Sequence, residues 1–164
     1  MGIPFAVVPD GGREPHRRDG RQMELEPRSR TVGGLRRYVG LVTEALGCSG
    51  DAFWVQPEAP VTAYIPIDDR VPAFPDRDLA LLWDERHGWC GAIETASGED
   101  LIVLSYLGSD ILPPPRVVAR FAAALVAGAG PGQAAPPGFR ATDADDDLAD
   151  RLAAYGPAPE PAYQ

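Results

Sequence analysis

The apolar positions of this chain follow two periods, and the change from one to the other lays out the fold. Leu35, Val39, Val42 and Leu46 recur at helical spacing, with Tyr38, Leu41 and Ala45 widening the stripe. This predicts a helix over about 32–47 with Arg36, Arg37 and Glu44 facing water. Thr31 is the expected N-cap and Gly47 the expected stop, and the Gly33-Gly34 pair weakens the first turn. Beyond it the period falls to two. Short strands are expected at about 52–56 and 61–67, the second with Val61, Ala63, Ile65 and Ile67 on one side. Residues 78–107 read as a three-stranded antiparallel meander. Arg86-His87-Gly88 supplies one hairpin loop and Ser97-Gly98 a two-residue turn.

Those turns assign the side chains to two faces. One carries Leu79, Leu81, Trp83, Trp89, Ile93, Ile102, Leu104 and Tyr106, the bulky set expected to meet the core. The other carries Ala80, Leu82, Asp84, Cys90, Ala92, Glu94, Leu101, Val103 and Ser105. In this register Gly91 lies opposite Trp83 and leaves room for the indole. A second helix is expected at about 115–127, opened by its proline run and faced by Val118, Phe121 and Leu125. Thr142-x-x-Asp145 resembles a capping box ahead of a last short helix edged by Leu148, Leu152 and Tyr155.

The fold class that buries these stripes is α+β, an antiparallel five-stranded sheet with N-terminal and C-terminal helices packed on one face. The expected organisation is a disordered Arg-rich arm at 1–30 and a single domain at 31–128. A Gly/Pro/Ala linker at 129–141, a short acidic-capped helix at 142–156 and a disordered tail at 157–164 complete it.

Length and composition narrow the function. A chain of 164 residues is one domain. It has no apolar run of membrane-spanning length, and Met1–Pro9 lacks a basic region and a cleavage site, so the expectation is a cytoplasmic protein without membrane contact. All 15 basic residues are Arg. Without Lys there is no Walker A loop, no Schiff base and no pyridoxal phosphate anchor. Residues 1–40 carry +3 and residues 41–164 carry −12, which together make the net −9. An acidic domain repels phosphate backbones, so no nucleic-acid partner is expected. Cys48 and Cys90 are expected as free, buried thiols.

The run from Phe74 through Asp84-Glu85-Arg86-His87-Gly88-Trp89 is similar to a family of small proteins from high-GC Gram-positive bacteria. So are Gly98–Leu104 and the proline-rich entry to Val117–Phe121. The resemblance covers about residues 32–127, with Trp-Asp-x-x-His-Gly-Trp its most specific part. The family is a domain of unknown function, so the resemblance implies a single cytoplasmic domain and no activity, cofactor or site residue.

Candidate chemistry is thin. His87 and Cys90 are the pair to weigh as half of a metal site or as base and nucleophile. A structural zinc needs four ligands, and the remaining supply is His16 and Cys48, one in the arm and one behind a helix. No metal, no cofactor and no catalytic residue is therefore expected, with His87 a solvated turn residue. Among Asp84, Glu85, Glu94, Glu99 and Asp100, the pair Asp84 and Glu94 shares a face and could do acid–base work, although hairpin ends are commonly acidic for solubility. Gly128–Gly132 follows a helix and contains Pro131, which reads as linker rather than phosphate loop.

Two binding surfaces are expected. Phe74, Trp83, Trp89 and Tyr106 could line an aromatic pocket for a small molecule. Ala80, Leu82, Ala92, Leu101 and Val103 make the second sheet face too apolar for solvent alone, so it should meet a protein partner or a second copy in a homodimer, or be covered by the last helix. The functional expectation is a non-catalytic cytoplasmic protein-interaction or regulatory module. A small-molecule sensor is the alternative, and a small hydrolase the third reading.

Overall fold

Residues 18–48 and 52–155 are described by the structure, a computed structural model, with side chains from Ser29 onward. Helix α1 spans Arg18–Ala45, so it begins well before the apolar stripe does and takes in part of the stretch expected as a disordered arm. The reason is local: Arg18–Glu26 is rich in good helix formers but carries no apolar face to read. Thr31 is accordingly interior to the helix rather than its cap. The remainder of the arm, residues 1–17, and the tail 157–164 lie outside the described residues.

Five strands follow, β1 (Trp54–Gln56), β2 (Thr62–Ile67), β3 (Leu79–Asp84), β4 (Gly88–Glu94) and β5 (Leu101–Tyr106), then α2 (Pro115–Val126) and α3 (Leu148–Ala153). The strands form one antiparallel meander in the order β1-β2-β3-β4-β5. Pro66 interrupts no ladder with β1, because β1 pairs only as far as Tyr64 and leaves the end of β2 as an edge. Helices α1 and α2 both end in paired backbone bonds that turn the chain out of the helix, Cys48 N–H to Thr43 C=O at 3.0 Å and Ala129 N–H to Ala124 C=O at 3.0 Å. Among the described residues no helix is long and apolar enough to cross a membrane.

The core lies between one sheet face and the helices. Ile65, Leu79, Leu81, Trp83, Trp89 and Ile93 meet Leu35, Tyr38, Val39 and Val42 of α1, with Val118, Phe121 and Leu125 of α2. The faces of β3 and β4 are those the alternation predicts, but their partners differ. Trp83 pairs with Trp89 and Gly91 with Leu81, so the three-residue loop is 85–87, one position earlier than expected, and every partner moves by two. The space over Gly91 is taken by Leu125 of α2, which a Cβ there would overlap, and not by the indole of Trp83.

β5 departs further. Ile93 pairs with Ile102 and Ala92 with Val103 as the turn predicts, but Gly91 then pairs with Ser105 and Cys90 with Tyr106. Leu104 is the extra residue of a β-bulge, and beyond it every side chain changes face. Ser105 therefore points to the core side, where its Oγ has no hydrogen-bond partner among the described residues. Tyr106 points to the opposite side.

The segment after α2, expected as a linker, is bound to the sheet. Gln133 exchanges backbone hydrogen bonds with Tyr106 at 2.8 Å each, and Phe139 N–H donates to the Arg86 carbonyl at 2.9 Å. The chain then reaches α3, which packs on α1 and not on the second sheet face. Gly34 is the seat of this contact, since a Cβ there would stand 2.7 Å from Leu152 Cβ. Arg151 to Asp110 at 2.9 Å and Arg30 to Asp150 at 3.2 Å hold the helix from either side.

The adjacent glycines of α1 should therefore respond in opposite directions. Gly34→Val forces Leu152 out of its seat and is expected to cost about 2 kcal/mol by overpacking. Gly33 has nothing within 4 Å of a built Cβ. Gly33→Ala is expected to gain about 0.5–1 kcal/mol from helix propensity. Urea unfolding of the two variants checks the pair, and a loss in both would mean that Gly33 also touches a neighbour.

Candidate binding trough on the open sheet face

The four residues of the expected aromatic pocket do not assemble. Trp83 and Trp89 are fully buried in the core. Trp83 Nε1–H donates to the Ile111 carbonyl at 2.8 Å, Trp89 Nε1–H donates to the Tyr38 hydroxyl at 3.1 Å, and that hydroxyl donates to the Pro113 carbonyl at 2.5 Å. Phe74 sits exposed in the loop between β2 and β3. Tyr106 is on the other side of the sheet.

Tyr106 instead joins the residues expected to form an interface. The face opposite the core holds a trough of about 700 Å³, with Tyr64, Leu82, Cys90, Leu101, Val103 and Tyr106 among its lining. Ala80 and Ala92 share this face but are buried, flanked in register by Pro66 and Val103. Trp54 is 60 % exposed at the β1 side, its ring edge-on to Tyr64 at 5.5 Å. Trp54 is the main residue that the sequence reading passed over. The signal was present: Val55 enters the core, so strand alternation sends Trp54 to the far side.

The charge of the trough is one-sided. Glu58, Asp84, Glu94, Glu99 and Asp100 line it, and no Arg or His does. Asp84 and Glu58 stand where β3 ends and β2 begins, while Glu94, Glu99 and Asp100 belong to the β4–β5 hairpin at the other end of the strands. Strands of this length run about 20 Å, so Asp84 and Glu94 are too far apart to work as an acid–base pair. Burial raises the pKa of Tyr64, with the carboxylates of Glu94 and Asp78 adding to it. Tyr106 is raised by burial first and then by Cys90 and Asp84. Both phenols are thus neutral hydrogen-bond donors in the trough.

Asp84 and His87 are occupied in the β3–β4 hairpin loop. Asp84 Oδ1 accepts the backbone N–H of Arg86 at 2.7 Å and of His87 at 2.9 Å, closing the hairpin loop. Its Oδ2 lies 3.1 Å from His87 Nδ1. His87 is therefore tethered rather than solvated, with its ring 6.1 Å from that of Tyr106. Beside this pair Cys90 is a poor nucleophile, because burial pushes its thiol up to about 12. Cys48 is free as well, its thiol raised by burial and by Asp68 and Asp69. Among the described residues no three of His, Cys, Asp or Glu are grouped to hold a metal ion.

Glu85 is buried for a different reason. Its Oε2 accepts the Val61 N–H at 2.9 Å, and its Oε1 accepts the Asp143 N–H at 3.0 Å and Arg140 Nη1 at 2.5 Å. Arg140 also makes a two-pronged contact with Asp146, at 2.7 and 3.1 Å. This cluster fastens the segment before α3 to the β3–β4 hairpin, and nothing in it faces the trough.

In a comparison with known families, residues 38–124 match a family of unknown function (DUF6292). The matched segment contains the whole sheet and every residue of the trough, and stops short of Arg140 and α3. No curated protein and no solved structure matches the chain.

Proposed function

We propose that this chain, which belongs to the family of unknown function DUF6292, is a non-catalytic protein-interaction module that binds its partner on the open face of its sheet. The observation that carries this reading is the composition of that face. An antiparallel sheet with one face in water is expected to be polar there. Here Trp54 and Val103 are exposed, and Leu82, Leu101 and Tyr106 line the trough with them. Apolar surface of this kind, rimmed by charge, is the usual mark of a binding site. The trough has the volume of a small-molecule site but runs open along the strands, which favours a polypeptide over a metabolite. Two free thiols fit a reducing compartment, and we place the protein in the cytoplasm.

The test compares charge insertions on the two sides of the molecule. Val103→Arg lies in the trough, and Arg116→Glu lies at the exposed start of α2 on the helical side. A partner recovered from the protein's own cell extract is expected to be lost with Val103→Arg and retained with Arg116→Glu, both variants melting within about 2 °C of the parent. Recovery of the same protein by both variants would refute a role for this face.

A further inference from the structure

Building on the reading that the open sheet face binds a polypeptide, we infer that its occupant is a partner's amphipathic helix about three and a half turns long, apolar in the middle and carrying Arg or Lys at both ends. The charge layout of the trough points to this. Glu58 and Asp84 stand at one end and Glu94 and Glu99 at the other, with the aromatic and aliphatic floor between them. Glu58, Glu94 and Glu99 form no ion pair with the described residues. A segment that lays apolar side chains on the floor must bring its own ends against these carboxylates. Cationic ends are attracted there and anionic ends repelled.

Length sets the second constraint. The carboxylate groups are separated by a strand of about 20 Å, which a helix spans in about 13 residues at 1.5 Å each. A helix is the element that ordinarily covers an open sheet face, and its i, i+4, i+7 stripe lays apolar side chains along such a floor. The exposed ring of Trp54 and the phenols of Tyr64 and Tyr106 add faces on which guanidinium groups can stack. A second copy of the chain is a poorer occupant. Two troughs face to face would set the same carboxylates against each other, and the trough offers no basic side chain to offset them.

The experiment uses two synthetic peptides of about 15 residues with the same apolar stripe, one with Arg at both ends and one with Glu. Each is titrated into the full chain by calorimetry and by tryptophan emission, with Trp54→Phe as the control that silences the exposed indole. The Arg-ended peptide is expected to bind roughly tenfold or more tightly than the Glu-ended one. That preference should fall severalfold between 0.05 and 0.5 M salt and in the double variant Glu94→Gln/Glu99→Gln. Equal affinity for both peptides, abolished by Val103→Arg, would overturn the charge assignment while leaving the face a binding surface. No binding by either peptide, or a preference untouched by salt and by the double variant, would overturn the inference. A dimer in light scattering that Val103→Arg dissociates would overturn it in favour of a second copy.

Discussion

Arg140→Met is expected to destabilise the protein by about 3 kcal/mol or more, the loss usual when one partner of a buried pair is removed. Glu85 and Arg140 have side chains only 4 % and 9 % exposed, so the carboxylate left behind cannot be rehydrated without moving the segment that covers it. Arg140 also holds the carbonyl of Ala144 at 2.9 Å and the carboxylate of Asp146, and these bonds fix the approach to α3. The double variant Arg140→Met/Glu85→Gln should recover part of the loss, because no charge then remains buried. Acid narrows the gap. The hydrogen bond from Arg140 holds the Asp146 carboxyl below the usual carboxylate range. A depressed folded value contributes stability above the unfolded pKa of about 3.9, and that contribution is lost as pH falls through the folded value. Arg140→Met has already forfeited it, so parent and variant should draw closer below about pH 4. Urea unfolding at pH 7 and pH 3 measures both effects, and a loss under about 1 kcal/mol at neutral pH would show that the cluster is hydrated.

Tyr38→Phe should cost about 2–3 kcal/mol although it removes one oxygen. That oxygen joins two elements of the core: it accepts from Trp89 of β4 and donates to the carbonyl of Pro113 ahead of α2. Removing it leaves a buried donor and a buried acceptor, each worth about 1–3 kcal/mol when unpaired. The phenol is a dependable donor, since burial raises its pKa and keeps it protonated well into the alkaline range. For a chain of this size the melting temperature should fall by about 5–10 °C. Thermal unfolding followed by near-ultraviolet dichroism, which senses Trp89 directly, gives the result. A shift below 1 °C would mean that both groups find other partners.

What the sequence disclosed depended on how much each signal relied on neighbours in space. The sheet's two faces along β3 and β4 were legible because strict alternation survives an error of two residues in pairing. That is why Leu81, Trp83 and Trp89 are in the core even though Gly91 meets Leu81 and not Trp83. The stripe of α2 was legible for the same reason, from Val118, Phe121 and Leu125. The start of α1 was hidden, because Arg18–Glu26 extends a helix without an apolar edge, and Pro27, a residue that usually ends helices, lies inside it. Composition misled at 129–141, where Gly, Pro and Ala resemble a linker but Gln133 and Arg140 bind the sheet edge and a buried carboxylate. For the binding face, Leu82, Leu101 and Val103 followed from alternation alone. Trp54 was obscured by a strand of three residues, and Tyr106 by a bulge that leaves no mark in the pattern.

That bulge makes the face a matter of counting. With Leu104 accommodated as an unpaired residue, Tyr106 belongs to the trough and Ser105 to the core. In an even ladder the two would trade places, sending a phenol toward α2 and a hydroxyl to the floor. The parity of β5 therefore decides which surface can be aromatic. Deleting Leu104 would leave Ser105 opposite Gly91 and Tyr106 opposite Cys90 with no bulge, so the phenol keeps its place when the extra residue is lost and forfeits it only when that residue is drawn into the ladder.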